Sequence, residues 1–300
     1  YMHTHVDFIV CVCENECTCR YSLITSDDCY GKTAAKDADL PVAELEQKMR
    51  RYINDMKDIS NADQGSDRWL NDRRCRLTAS NFGAIGRMRE KTSPKNSVKN
   101  LLYTPFKGNS ATAYGLEQEA ATEEMFVQYL EPKGASEISV AHPGLVGISG
   151  EQALAASPDG IICCHSGSSN FPSSFVVEYK IPKKLVDQGL TVVDAIGAVK
   201  GFPLMHGNNG YELKKTHNYY YQVQGVMAAT GLSDAAFVIR GDRESMEVVW
   251  IKFDRHFFEG CLKKLRRFYY EALLPELAHP LVSVSGVRPY SVEWEYRDMH

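Results

Sequence analysis

Ala156-Ser157-Pro158-Asp159-Gly160, followed 18 residues later by Glu178-Tyr179-Lys180 inside the run Phe175-Val176-Val177-Glu178-Tyr179-Lys180-Ile181, is the part of this sequence that decides the fold. The second run is apolar and β-branched and is closed by Pro182, so it reads as a strand. Residues two apart in a strand share a face, which sends Glu178 and Lys180 one way and Val177 and Tyr179 the other. Asp159 stands at the start of the preceding strand. Gly160 after it is expected to let the chain turn tightly and bring a second carboxylate to the same point.

Two carboxylates in a small volume repel, and the usual resolution is a hard, oxygen-seeking cation such as Mg²⁺. A lysine beside them can hold or deprotonate an attacking water and offset negative charge as a phosphodiester is cleaved. A bare E-x-K is more often an ion pair on a solvated face. The preceding Ser-Pro-Asp-Gly, in the right order and at the right distance, brings phosphodiester hydrolysis level with the ion-pair reading.

Working outward, helical periodicity predicts helices over Asp67–Arg74, Ala79–Arg87, Thr112–Leu130 and His217–Thr230, the last with Gly231 as C-cap. Strands are expected at Ile138–Val140, Leu145–Ile148, Gly160–Cys164, Ala235–Ile239 and Glu247–Phe253. Asp254 caps a long amphipathic helix to about Leu274, which Pro275 is expected to stop. This order predicts an α/β fold, a central mixed β-sheet flanked by helices. Residues 1–39 are poorly patterned, a helix is expected over Val42–Lys57, and Ser60–Asp67 breaks the pattern. The expected division is a Cys-rich segment with a helix at 1–66, read as a truncated module, a catalytic domain at 67–279 and a tail at 280–300.

The 300 residues are 44% hydrophobic, enough for a proper core, and a net charge of −4 leaves any nucleic-acid contact to local basic surface. The candidate surfaces are Arg87, Arg89, Lys91, Lys95 and Lys99, then Lys214-Lys215, then Lys263-Lys264 with Arg266-Arg267, although most such runs are simply solvated. No apolar run of membrane-spanning length occurs, and the opening stretch lacks the features of a signal peptide, so a soluble chain and a missing natural N-terminus are expected. Nine cysteines, an odd count with the adjacent pair Cys163-Cys164, suit a reducing nuclear or cytosolic compartment. Cys11, Cys13, Cys17 and Cys19 are spaced more tightly than structural zinc ligands usually are, and zinc is not expected.

Five motifs in order resemble one family: Trp69-Leu70-Asn71-Asp72-Arg73-Arg74 with Leu77-Thr78-Ala79-Ser80-Asn81-Phe82-Gly83; Tyr114-Gly115-Leu116-Glu117-Gln118-Glu119-Ala120; Ser157-Pro158-Asp159-Gly160; Glu178-Tyr179-Lys180 with Pro182; and Tyr219-Tyr220-Tyr221-Gln222-Val223-Gln224. The chain is similar over about Asp67–Leu277 to the YqaJ-like viral recombinases of the PD-(D/E)XK nuclease superfamily, whose core is restriction-endonuclease-like.

The resemblance implies a Mg²⁺-dependent DNA nuclease, with Mn²⁺ as a substitute and two ions in the site. Asp159, Glu178, Glu119 and the Tyr179 carbonyl would hold metal, with Glu117 as a fallback for Glu119. Lys180, Glu119, Gln222 and Tyr219 would be catalytic, while Gln224, about 200° from Gln222 around the helix, could not share that role. Arg73, Ser80 and Ser157 would hold a 5'-phosphate. A further basic residue of the family falls on Val186, with Lys183 and Lys184 too early, which sets exonuclease action at duplex ends against restriction-like endonuclease action. A non-catalytic, domesticated DNA-binding protein is the reading from another class. By resemblance alone, the partners are double-stranded DNA ends, further copies of the chain in a ring of three and a single-strand annealing protein, with no membrane.

Overall fold

The computed structural model describes residues 64–104, 110–166, 172–208, 210–243, 245–278 and 282, together with Glu44 and Gln47. The cysteine cluster, nearly all of the expected helix over 42–57 and nearly all of the 280–300 tail lie outside them.

Helix α1 (Asp67–Arg74) begins where the Ser66 hydroxyl accepts from the Trp69 amide. Strand β1 (Leu77–Thr78) leads into α2 (Ala79–Gly86) and α3 (Lys95–Leu102), and then α4 (Ser110–Leu130) carries the chain to β2 (Ala135–Ala141). Strands β3 (Val146–Ile148), β4 (Glu151–Ala156), β5 (Gly160–Ser166) and β6 (Ser174–Lys180) follow. After the short helices α5 (Lys183–Asp187) and α6 (Val192–Ala195) comes a hairpin, β7 (Leu204–Gly207) and β8 (Gly210–Leu213). Helix α7 (Asn218–Thr230), strands β9 (Asp234–Arg240) and β10 (Met246–Lys252), and helices α8 (Arg255–Phe268) and α9 (Leu274–Ala278) complete the order.

The main sheet runs β10-β9-β6-β5-β2, with β6 and β9 parallel and the other pairs antiparallel, and a smaller sheet runs β1-β4-β3. The fold is therefore α/β with a mixed sheet between helices, as its patterning predicts. Strand β6 divides the core. Phe175, Val177 and Tyr179 pack with Phe126 and Leu130 of α4 on one face, while Val176 joins the larger cluster with α2, α7 and α8 on the other.

Two local expectations change. Gly160 has no unusual backbone angle; a Cβ there would lie 2.9 Å from Val177 Cγ1, so glycine is required by close approach of paired strands rather than by a turn. Pro275 does not end the last helix, because a π-helical turn at Tyr269–Leu273 resets the hydrogen bonding and α9 continues through the proline. The short elements β1, β4, β7, β8, α3, α5 and α6 have too little periodicity to be read in advance.

Candidate active site

The chain crosses from the small sheet to the large one at Ser157-Pro158-Asp159, between the end of β4 and the start of β5. Asp159 Oδ2 accepts the Tyr179 amide at 2.8 Å, tying this crossing to β6. Glu178, only 1% exposed, turns toward α7, where the Gln222 amide donates to its Oε1. Lys180 Nζ donates to the same Oε1 at 2.5 Å and to the Tyr179 carbonyl at 3.0 Å, and it stands 3.8 Å from Asp159 Oδ2. The Tyr219 ring, one helical turn before Gln222, lies 5.3 Å from the ammonium. Asp159, Glu178, Tyr179, Lys180, Tyr219 and Gln222 are thus brought together. Gln224 is fully buried elsewhere, donating to the Lys252 carbonyl and accepting from the Asp254 amide, in keeping with its helical phase.

Glu119 reaches the same place from α4, two turns before Phe126 and on the same face, past the edge of the core. Burial, and then the charge of Asp159, pushes its carboxyl from the ordinary 4.5 up to about 7. Glu178 is raised to about 8, again by burial first and Asp159 second, against the pull of Lys180. Burial by itself would lower the Lys180 ammonium, but the charges of Glu178 and Asp159 outweigh it and hold it above the usual lysine range. Near neutral pH the cluster therefore keeps its lysine charged, favours a proton on Glu178 and leaves Glu119 poised between its two forms.

Among the described residues no three His, Cys, Asp or Glu side chains converge into a ready-made metal cage. The donor set nonetheless suits Mg²⁺, which takes one or two carboxylates and fills its remaining positions with water and substrate phosphate. Glu178 Oε2 is buried without a hydrogen-bond partner, and an orphaned carboxylate oxygen beside a second carboxylate is a vacant acceptor for a cation. Asp159, Glu178 and the Tyr179 carbonyl would hold such an ion, with Glu119 behind them.

Ser157, two residues before Asp159, belongs to a second pocket. Its hydroxyl accepts the Trp69 indole N–H at 3.0 Å and an Arg73 N–H at 3.3 Å, and the Arg73 guanidinium stacks on the Trp69 ring at 4.3 Å. Burial lowers Arg73 to about 10, and no acidic side chain among the described residues pairs with it. Ser80, exposed, shares a hydroxyl contact of 3.2 Å with Thr78. Thr78 pairs in parallel with Ala155, so Ser80 and Ser157 leave the same end of neighbouring strands, although no contact joins them. Val186 sits on α5, and Lys183 beside it is engaged with Asp187.

Two residues carry more than their sequence context suggested. Trp69 orients Ser157 and Arg73 together. His142 donates from Nδ1 to the Asp159 carbonyl at 2.9 Å and faces Glu123 at 3.4 Å, buttressing the crossing from the solvent side. The only advance signal for the latter was the i,i+4 spacing of Glu119 and Glu123.

The sequence model of the YqaJ-like viral recombinase domain matches residues 68–233, more than half of the 300. The fold is similar to that of the alkaline exonuclease LHK-Exo of Laribacter hongkongensis, both in its own crystal structure and in complex with dAMP. Each comparison gives 20% identity and a TM-score of 0.50 over 71% of this chain and 96% of that one. It is also similar to the shutoff and exonuclease protein of Kaposi's sarcoma-associated herpesvirus, at 11% identity and a TM-score of 0.44 over 83% and 77% of the two chains. No curated protein matches the sequence. The chain shares its fold with the alkaline exonuclease LHK-Exo, and it belongs to the family of YqaJ-like viral recombinase domains.

Proposed function

We propose that this chain hydrolyses DNA from duplex ends as a 5'-to-3' exonuclease dependent on Mg²⁺, with Mn²⁺ as a substitute and two ions in the site. The observation that carries the reading is the spacing of the two pockets. Ser157, which accepts from Arg73, a guanidinium with no acidic partner among the described residues, and Asp159, beside Glu178 and Lys180, are two residues apart on one crossing. A terminal phosphate held by the Arg73 fork would set its neighbouring diester against the carboxylates, which is the geometry of end-directed cutting.

When bound, the cation would supply charge neutralisation at the scissile phosphate. The protein's groups do the rest. Lys180 offers an ammonium held above the usual lysine range to offset charge that develops in the transition state, and Gln222 and Tyr219 fix where it stands. Glu119, raised to about 7, is matched to accept a proton from an attacking water near neutral pH. The dAMP in one similar structure is a nucleoside monophosphate, the kind of product that stepwise cutting releases.

One observation favours endonuclease cutting instead: position 186 is valine and Lys183 is spent on Asp187, so the phosphate pocket has fewer cations than an end-reading site could use. End-labelled linear duplex and covalently closed circles, incubated with Mg²⁺ or EDTA, separate the two. Loss of linear DNA only, absent for Asp159→Asn and Glu178→Gln, is expected; rapid cutting of circles would establish the endonuclease. Arg73→Ala is expected to remove a preference for 5'-phosphorylated over 5'-hydroxyl ends of about 1 to 3 kcal/mol, roughly fivefold to more than a hundredfold.

A further inference from the structure

The basic runs that are separate in sequence meet in space. Helix α8 packs along α2, and Lys264 Nζ donates to the Gly86 carbonyl at 3.1 Å, so Lys263 and Lys264 flank the end of α2 where Arg87 and Arg89 begin. Met88, between those arginines, touches the Ser97 hydroxyl on α3 at 4.0 Å, which places Lys95 and Lys99 on the same surface. All but the half-buried Lys95 are exposed. No described carboxylate forms an ion pair with any of the six; Arg87 and Lys264 bond only backbone carbonyls.

This surface joins the active site. Arg87 donates to the Thr216 carbonyl at 3.0 Å, next to His217, the N-cap of α7. The His217 ring lies 4.6 Å from Tyr219, and Tyr219 lies under Lys180. The track therefore runs from the catalytic lysine over the positive end of α7 to Arg87, and fans out across α3 and α8.

We propose that this track is a binding site for the sugar-phosphate backbone of double-stranded DNA beyond the scissile end. The proposal rests on the nuclease reading above and adds to it where the uncut duplex lies. Cations spread over three elements fit a broad, rigid phosphate array. The exposed large apolar residues of the described surface, Leu70, Val193, Met205 and Trp250, are all elsewhere, and the rings on the track, His217 and Tyr219, are half-buried and packed against each other, so the track offers no exposed row of aromatic faces on which single strands stack.

Arg89, Lys99 and Lys263 are exposed and make no side-chain hydrogen bond or ion pair among the described residues, so the triple variant Arg89→Gln, Lys99→Gln, Lys263→Gln tests the track without disturbing the fold. Equilibrium binding to a blunt duplex longer than the active site is measured in EDTA, where no cutting occurs, across a salt series. The slope of log affinity against log salt is expected to become shallower by about 2.7 for three lost phosphate contacts, at about 0.9 each. Melting by circular dichroism checks folding. An unchanged slope in a folded variant, or equal loss of single-strand and duplex binding, overturns the track while leaving the nuclease reading in place. A wild-type protein that cuts DNA with Mg²⁺ yet binds duplex with no salt dependence also overturns the track alone, whereas one that neither binds nor cuts removes both.

Discussion

Glu119, Asp159 and Glu178 carry too much negative charge for one lysine to balance, and burial sharpens the conflict. With the folded values at about 7 for Glu119 and about 8 for Glu178, against an ordinary 4.5, these groups favour the cation-free fold when protonated. Their contribution is fully present below about pH 4.5 and is lost as pH rises through 7 and 8. A divalent cation must displace those protons, so its affinity should climb with pH, by about tenfold per unit for each proton displaced. In EDTA the melting temperature should fall between pH 6 and pH 9, and Mg²⁺ should restore it more at pH 9 than at pH 6; equal restoration at both would contradict the assignment of the acids. Glu178 and Lys180 were legible as a pair because strand periodicity puts them on one face, and Asp159 by its place at the start of the preceding strand, whereas Glu119 came only from the family resemblance. Trp69 was not legible as a positioning group, since its partner Ser157 is 88 residues away and only the fold brings the two into contact.

Helices α2 and α7 pack closely enough that glycine is required at the contact. A Cβ on Gly83 would lie 2.6 Å from the Asn218 Cα, and one on Gly225 would lie 2.6 Å from the Phe82 ring. Backbone cannot yield as a flexible side chain can, so Gly83→Ala must push α7 away from α2. The expected cost is about 1 to 3 kcal/mol by overpacking. Because Asn218 precedes Tyr219 and Gln222, turnover should fall as well, read from denaturant melts and single-turnover cutting side by side. Wild-type stability in that variant would mean the helices are looser than described. Helix starts and stops were readable where caps exist, as with Asp254, whose carboxylate accepts the Phe257 amide, and Gly231 in the left-handed region. The π turn before Pro275 was not, because whether a helix absorbs a proline depends on the packing of Tyr269, Leu273 and Leu274 rather than on the proline itself.

At the scale of the molecule, the five motifs span two sheets and four helices, and contacts between distant parts of the chain join them. No described helix is long and apolar enough to cross a membrane. The buried apolar residues among those described run from Cys75 to Val282, past the expected end of the catalytic domain at 279, whose expected start is at 67. Two residues just before that point are nevertheless part of the site. Ser66 caps α1, which carries Trp69 and Arg73, and Gln64 donates to the Pro158 carbonyl at 2.9 Å, on the crossing between Ser157 and Asp159. The sequence pattern placed the boundary after residue 66 because Asn, Asp, Gly and Ser break helical periodicity there, and periodicity carries no information about a side chain that reaches 94 residues ahead. Two truncations therefore should behave differently. Deleting residues 1–39 removes the cysteine cluster and none of these contacts, so cutting and melting temperature should match the full chain, and the zinc content of both proteins should be equally low. Deleting residues 1–66 removes the cap, at about 0.5 to 2 kcal/mol, and frees the crossing, so α1 should loosen and the preference for 5'-phosphorylated ends should weaken before metal-dependent cutting is lost. Should the shorter deletion abolish cutting, or lose stoichiometric zinc that the full chain carries, the N-terminal segment belongs to the nuclease and the boundary lies upstream of residue 39.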